Sequence, residues 1–261
     1  MLSKAKHKLI RSLSTRKGRE KSGLFVAEGP KVVGDLMAVA RPEWLGATPE
    51  WTGWHDQNRA AEAVELTDDE LMSVSFLQHP QQVVALFRLC DFGESQPRAD
   101  GQPWPGGLVL ALDGVRDPGN MGTIIRTADW FGIRHIFCSP DCADVFNPKV
   151  VQATMGSMAR VRLIYTNLPA FVAALPQDVP AYGTTLDGED LYAIAPAEQA
   201  LIVMGNEGQG MSEEMKRCMA KNLTIPRLGC QDASGAESLN VGVATAIVCA
   251  EFRRKQTLLK S

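Results

Sequence analysis

The sequence predicts an α/β protein in two parts, a small N-terminal α/β domain followed by a larger α/β domain with a mostly parallel sheet. Three observations carry this. Short apolar strand segments alternate with helical segments over the first ninety residues and again from Leu108 onward. The two alternations are separated by residues 91–107, DFGESQPRADGQPWPGG, in which Pro, Gly and polar residues dominate and no period persists. Finally, Leu239 to Ala250 is apolar or small at nearly every position, which predicts a buried helix at the end of the second part.

Length and composition fit this division. The chain has 261 residues, 45% hydrophobic and 22% charged, the balance of a soluble globular protein with room for two ordinary domains. The longest apolar run, Val241 to Ala250, is too short to span a bilayer, and the basic N-terminus lacks the apolar core of a secretory signal. A cytoplasmic protein with no membrane partner is therefore expected. Six cysteines (Cys90, Cys138, Cys142, Cys218, Cys230 and Cys249) show no repeated CxxC spacing, and no His lies at ligand spacing to the Cys138–Cys142 pair. Reduced thiols and no metal site are expected.

The net charge of −3 conceals an asymmetry. Residues 1–21 hold eight cations against Glu20 alone, a local +7 that leaves −10 for the rest. Such a run is often only a solvated helix face, but a basic end on an acidic body also suits a polyanion docked in one place. Lys4, Lys6, Lys8, Arg11, Arg16 and Lys17 are the candidate nucleic-acid contacts.

Taken in order, residues 3–14 predict a helix with Ala5, Leu9 and Leu13 on one face. Leu24–Ala27 predicts a strand, and Pro30 opens a helix through Val32, Val33, Leu36 and Met37. Trp44–Ala47 and Ala63–Leu66 are short strand candidates, Thr67 with Glu70 forms a capping box for the next helix, and Gln82–Leu89 is a further strand. In the second part, strands are predicted at Leu108–Leu112, Ile136–Cys138, Arg162–Tyr165, Ala181–Thr185, Leu201–Met204 and Leu223–Ile225. Helices fit between them at Thr123–Phe131, Pro148–Met158, Leu168–Ala174 and Glu213–Ala220. Continuous apolar strands with intervening helices predict parallel pairing, with ligands at the carboxyl ends of the strands.

Three stretches carry candidate chemistry. In Leu112–Ile133 a buried strand ends at Asp113 and a Gly-rich loop containing Asn120 feeds a helix bearing Arg126. In Leu201–Glu214 a buried strand runs into GNEGQG, where Gly205 and Gly208 let backbone approach a flat ligand and Glu207 is held between them. In the third, Ile225-Pro226 leads through an irregular loop to Glu237-Ser238-Leu239-Asn240, where Ser238 or Asn240 can cap the final helix. Asn120, Arg126, Glu207, Ser238 and Asn240 together offer hydrogen bonding and one cation for a phosphate, with no metal ligand set. The glycine order is not GxGxxG and no GxxxxGK[ST] occurs, which excludes a dinucleotide-binding oxidoreductase and a P-loop enzyme on motif.

The segments PGNMGTIIRTADWFG, MGNEGQGMS and IP…AESLNV, in that order, resemble the three motifs of the SpoU/TrmH branch of the SPOUT methyltransferases, over about residues 108–255. Residues 1–90, with FVAEGPKVV, are similar to the family's small ribosomal-protein-like substrate-binding domain. The resemblance implies transfer of a methyl group from S-adenosylmethionine to a ribose 2′-hydroxyl of rRNA or tRNA. It also implies a trefoil-knotted domain spanning residues 108–261 and a homodimer formed through it. By resemblance, Arg126 polarises the attacking hydroxyl with the help of an RNA phosphate, Asn120 and Glu207 order the site, and Ser238 and Asn240 complete the pocket. Thr184, Met204, Gly205, Gly208, Ile225 and Leu239 are the implied cofactor contacts. The loop RLGCQDASGA, between Pro226 and Glu237, is longer than the family's shortest versions. A ribosome-associated binder that has lost catalysis is the competing reading; it would show erosion of Asn120, Arg126 or the Asn206-Glu207-Gly208 loop, and all are intact. The separate basic N-terminal part favours rRNA over tRNA.

Overall fold

A computed structural model describes residues 2–92, 104–195, 197–229 and 237–258. Most of the linker prediction, and Cys230–Ala236 of the long loop, lie outside the described residues. The chain forms two compact units: Met1–Ser95 with Asp144–Arg160, and Gln96–Ala143 with Val161–Ser261.

The first unit is built on a four-stranded sheet. Its strands β1 (Leu24–Glu28), β2 (Trp44–Ala47), β3 (Ala63–Glu65) and β4 (Val83–Arg88) lie in the order β1-β4-β2-β3, antiparallel except for β2 with β3. The basic segment is two helices rather than the single predicted one. They are α1 (Lys4–Ser12), capped by Ser3, and α2 (Arg16–Ser22), capped by Thr15. The sequence RKGREKS of α2 has no apolar period, so pattern reading missed it; the cap and the buried Arg19 specify it instead. Helix α3 (Pro30–Met37) follows β1, and α4 (Asp68–Val74) carries the predicted Thr67–Glu70 capping box. Ile10, Leu13, Val26, Trp44, Leu66 and Val84 close one core.

A segment from the middle of the chain completes this unit. Helix α6 (Pro148–Ala153) and its flanks join it through Asp144, which accepts from Arg19 Nη2 at 2.6 Å, and through Phe146, whose ring lies 5.0 Å from that of Phe25. Arg160 pairs with Asp35 at 3.1 Å. Burying Arg19 without a partner would cost several kcal/mol, so Asp144 fixes the segment's place.

The second unit holds a six-stranded sheet, entirely parallel, in the order β10-β8-β9-β5-β6-β7. Its strands are β5 (Leu108–Leu112), β6 (His135–Cys138), β7 (Arg162–Tyr165), β8 (Ala181–Asp190), β9 (Ala200–Met204) and β10 (Lys221–Thr224). The mostly parallel α/β expectation is met. On one face Val109, Ala111, Phe137, Leu201 and Val203 pack with α7 (Leu168–Ala173) and α8 (Glu213–Cys218), and the Phe137 and Phe171 rings stack at 3.9 Å. On the other lie α5 (Pro118–Trp130) and α9 (Val241–Leu258). Thr123 sits against Gly242, and the Phe131 carbonyl accepts from Arg253 Nε at 2.8 Å, so the two helices run side by side in the same direction.

Two expectations are corrected. Helix α5 begins at Pro118, capped by the Asp117 side chain, five residues before the expected Thr123, so Asn120 lies in the first helical turn rather than in a loop. Helix α9 is not buried all round. Val241, Val248, Cys249 and Phe252 are buried, but Val243 is 48% exposed. Its outer face is apolar and open.

Candidate active site

The site is assembled where β5 and β9 end and α9 begins. Strand β5 runs into Asp113 and Gly114. The Asp113 carboxylate accepts from the backbone N–H of Ser212 at 2.7 Å, tying the loop after β9 to the end of β5. Gly114 has φ of +73°, a conformation that favours glycine. Gly205 is equally constrained, because a Cβ would come within 2.3 Å of the Gly210 backbone. The loop that follows is closed by a mutual backbone pair between Asn206 and Gly210, both bonds 2.9 Å.

Within this frame three predicted residues meet. Asn240 caps α9: its Oδ1 accepts from the N–H groups of Gly242 at 2.9 Å and Val243 at 3.3 Å. Those backbone donors fix the orientation of its amide, so Nδ2 faces Asn120 and donates to Oδ1 at 2.8 Å. Asn120 is oriented in turn and donates from Nδ2 to Glu207 Oε1 at 3.0 Å. The chain of donors ends on a carboxylate that must accept. Three segments far apart in sequence thus deliver one half-buried anionic group backed by two neutral amides.

Arg126 stands apart from this trio. Six residues beyond Asn120 on the same helix, it is about 9 Å further along and about 120° round the axis. It is exposed, with no ion pair among the described residues. Ser238 is exposed just ahead of the cap.

The predicted cofactor residues gather at the same end of the sheet in part. Thr184 Oγ1 donates to the Val203 carbonyl at 3.0 Å and lies 3.7 Å from Met204 Sδ, joining β8 to the end of β9 beside Gly205. Met204 is buried; Ile225 follows β10, half-buried; Leu239 is 49% exposed and Gly208 is on the open rim. Next to Thr184, the buried Thr185 Oγ1 has no hydrogen-bond partner. An unpaired buried hydroxyl costs roughly 1–3 kcal/mol, so a polar group of a ligand fits there. These residues supply backbone groups, hydroxyls and a thioether, which suit a nucleoside-bearing cofactor. Among the described residues no cluster of His, Cys, Asp or Glu could hold a metal ion.

Sequence reading missed a supporting network. Ser139 Oγ accepts from Gly114 N–H at 2.9 Å and donates to Asp141 at 2.6 Å, and Asp141 pairs with Arg116 at 2.6 Å. The Ser139 hydroxyl, and then Arg116, hold the Asp141 carboxyl below its usual range. These contacts join the ends of adjacent parallel strands, β5 and β6, and no local spacing announces them.

Polar side chains gathered at the carboxyl ends of a parallel sheet are where an α/β domain binds its ligands, and comparison with known proteins supplies the family. Residues 107–250 match the SpoU rRNA Methylase family, and residues 4–85 match the MRM3-like substrate binding domain. The chain belongs to the SpoU rRNA Methylase family. It is 31% identical over 246 residues to the 23S rRNA (guanosine(2553)-2′-O)-methyltransferase RlmP of Bacillus subtilis, covering 93% of this chain and 94% of that one. The 23S rRNA (guanosine-2′-O-)-methyltransferase RlmB of Neisseria meningitidis is 34% identical over 154 residues, 58% of this chain and 60% of that one. A crystal structure of an AdoMet-bound rRNA methyltransferase from Sinorhizobium meliloti superposes with a TM-score of 0.82 at 32% identity, covering 97% and 96% of the two chains.

Proposed function

We propose that this protein is an S-adenosylmethionine-dependent RNA ribose 2′-O-methyltransferase acting on rRNA. The observation that carries the reading is the Asn240–Asn120–Glu207 chain of hydrogen bonds, which joins the three family motifs at one point of the sheet. Its relatives RlmP and RlmB are rRNA 2′-O-methyltransferases by name.

S-adenosylmethionine supplies, when bound, an electrophilic methyl group that needs no metal activation. Thr184, Met204, Gly205, Gly208, Ile225 and Leu239 would hold it, with the Thr185 hydroxyl as a further polar contact. The chain's own task is to present a ribose hydroxyl, a poor nucleophile at neutral pH. Arg126 is the polarising group. It acts by aligning an RNA phosphate with the hydroxyl rather than by taking the proton itself, because a guanidinium is no base near neutral pH. Glu207, fixed by Asn120, orders the site, and Ser238 and Asn240 close it.

Residues 1–90 serve as the RNA-selecting domain, residues 91–107 as the connection and residues 108–261 as the transferase. In the basic segment Lys6 pairs with Glu62 at 2.9 Å, Arg11 donates to the Ser75 carbonyl at 2.8 Å and Arg16 pairs with Glu20 at 2.8 Å. Lys4, Lys8 and Lys17 are exposed and are the phosphate contacts we favour. The open apolar side of α9, with Val243 and Ile247, supports a homodimer through this domain. A trefoil-knotted C-terminus is part of the same proposal. No described helix is long and apolar enough to cross a membrane, and a cytoplasmic location follows from the RNA substrate.

The test is to map 2′-O-methylation in RNA from cells with and without the protein. Loss of one ribose methyl from rRNA supports the reading. Loss confined to tRNA would reassign the substrate, and no loss would remove the activity.

A further inference from the structure

Glu207 is the acceptor at the end of the donor chain, and the residue before it shapes the loop that carries it. Asn206 Oδ1 accepts from the N–H groups of Gly208 at 2.9 Å and Gln209 at 3.1 Å, spanning the loop on the far side of Glu207. With Oδ1 committed to two backbone donors, Nδ2 has one direction left. It donates to the Gly114 carbonyl at 2.7 Å, across to the end of β5, and lies 3.4 Å from Glu207 Oε2. Gly114 is itself held by Ser139 through its N–H. A single half-buried side chain therefore folds the Glu207 loop, fastens it to the loop that leads to Asn120, and faces the second carboxylate oxygen.

We infer that Asn206 is a positioning residue for methyl transfer. It sets the distance between Glu207 and Asn120 and leaves Glu207 Oε1 for the Asn120 amide. The inference rests on the proposed catalytic role of the Asn120–Glu207–Asn240 group. It differs from an ordinary turn asparagine in that both halves of the amide are used, and in that its donor half crosses 92 residues of sequence to reach the other motif. Ser, Thr or Asp in a turn could supply the acceptor half; an acceptor and an amide donor on one side chain of this length are asparagine's alone.

Two variants separate the halves. Asn206→Ala removes both, while Asn206→Asp keeps the acceptor for Gly208 and Gln209 but loses the donor and places a second carboxylate beside Glu207. Of the charged groups near Glu207, Arg116 is already paired with Asp141 at 2.6 Å and attracts Glu207 only weakly, and the Asp113 carboxylate accepts from the Ser212 N–H. Single-turnover methyl transfer is measured for both variants, for Glu207→Ala and for the Asn206→Ala/Glu207→Ala double variant. S-adenosylmethionine affinity is taken by calorimetry and folding by thermal melting. The expected result is a transfer rate, at saturating S-adenosylmethionine, lower by on the order of tenfold or more in Asn206→Ala. The double variant should be no slower than Glu207→Ala, because both act through one group. In Asn206→Asp the acid limb of the pH–rate profile should move to higher pH, a shift that mere loosening of the loop would not produce. A parental rate in Asn206→Ala alongside a slow Glu207→Ala would overturn this inference and leave the site reading intact. Fully additive losses in the double variant, or an unmoved pH profile in Asn206→Asp, would also overturn it. A parental rate in Glu207→Ala would instead overturn the site reading itself.

Discussion

Arg126 is the residue on which chemistry and binding part company. It sits on α5 among side chains that do the packing, Ile124, Ile125 and Ala128, all fully buried, while its own side chain is exposed. Arg126→Ala should therefore keep the fold and cofactor affinity and lose methyl transfer by on the order of a hundredfold or more. Arg126→Lys should recover little, because an ammonium cannot reproduce two parallel hydrogen bonds to a phosphate. Single-turnover transfer at saturating protein measures both. Asp141 gives a second test at this scale. Its carboxyl is held below the ordinary value of 3.8 by Ser139 and Arg116, so its contribution to stability is present above that value and lost as pH falls through the lowered one. The difference in Tm between parent and Asp141→Asn should thus stay constant from about pH 7 to about pH 5 and close only in stronger acid. A gap that widened on acidification would contradict the assignment. The three residues that the hydrogen-bond chain joins were legible in the sequence, since Asn120, Glu207 and Asn240 each lie in a short polar interruption beside a buried element. Asn206, Ser139, Asp141 and Arg116 were not, because their partners lie one or more strands away and the residue types are those of any turn.

Among the elements, α9 was legible as a helix but not in its environment. A continuous apolar run says that a surface must be covered and does not say by what. Here the protein's own sheet covers Val241, Val248 and Phe252, and Val243 is left open beside the half-buried Ile247. Placing a charge on that face should leave the fold intact and split the homodimer proposed to form through it. Val243→Glu with Ile247→Glu is expected to shift the protein to monomer mass in light scattering, and persistence of the dimer would move the interface elsewhere. The start of α5 was misjudged because PGN reads as a turn, although Pro is favoured at the first helical position and Asp117 caps it. Helix α2 escaped for the opposite reason, its seven residues being polar apart from one glycine. Both helices of the basic segment lie on the first unit's core, and three of the six candidate cations have partners within the protein. Lys4, Lys8 and Lys17 should then carry the salt dependence. Their joint replacement by Ala should lower the slope of log K against log salt by about two to three, leaving S-adenosylmethionine binding unchanged. An unaltered slope would make this surface a solvated face only.

At the scale of the whole molecule, the parallel sheet and its two-part organisation follow from patterns any reader of the sequence can count. The strand order does not. Strand β5 lies between β9 and β6, and β10 returns to pair with β8, a choice made by long-range packing that periodicity cannot encode. The consequence is functional, because that order is what brings the ends of β5, β8 and β9 together with the head of α9. At this meeting point the proposed transfer of a methyl group to a ribose oxygen takes place. The most direct test is to incubate the purified protein with methyl-labelled S-adenosylmethionine and ribosomal RNA from cells lacking it, then digest the RNA in alkali and to nucleosides. Because a 2′-O-methyl group blocks alkaline cleavage, label should appear in an alkali-resistant dinucleotide and in a single ribose-methylated nucleoside. Label on a base, or none on RNA while the protein still binds the cofactor, would contradict the account.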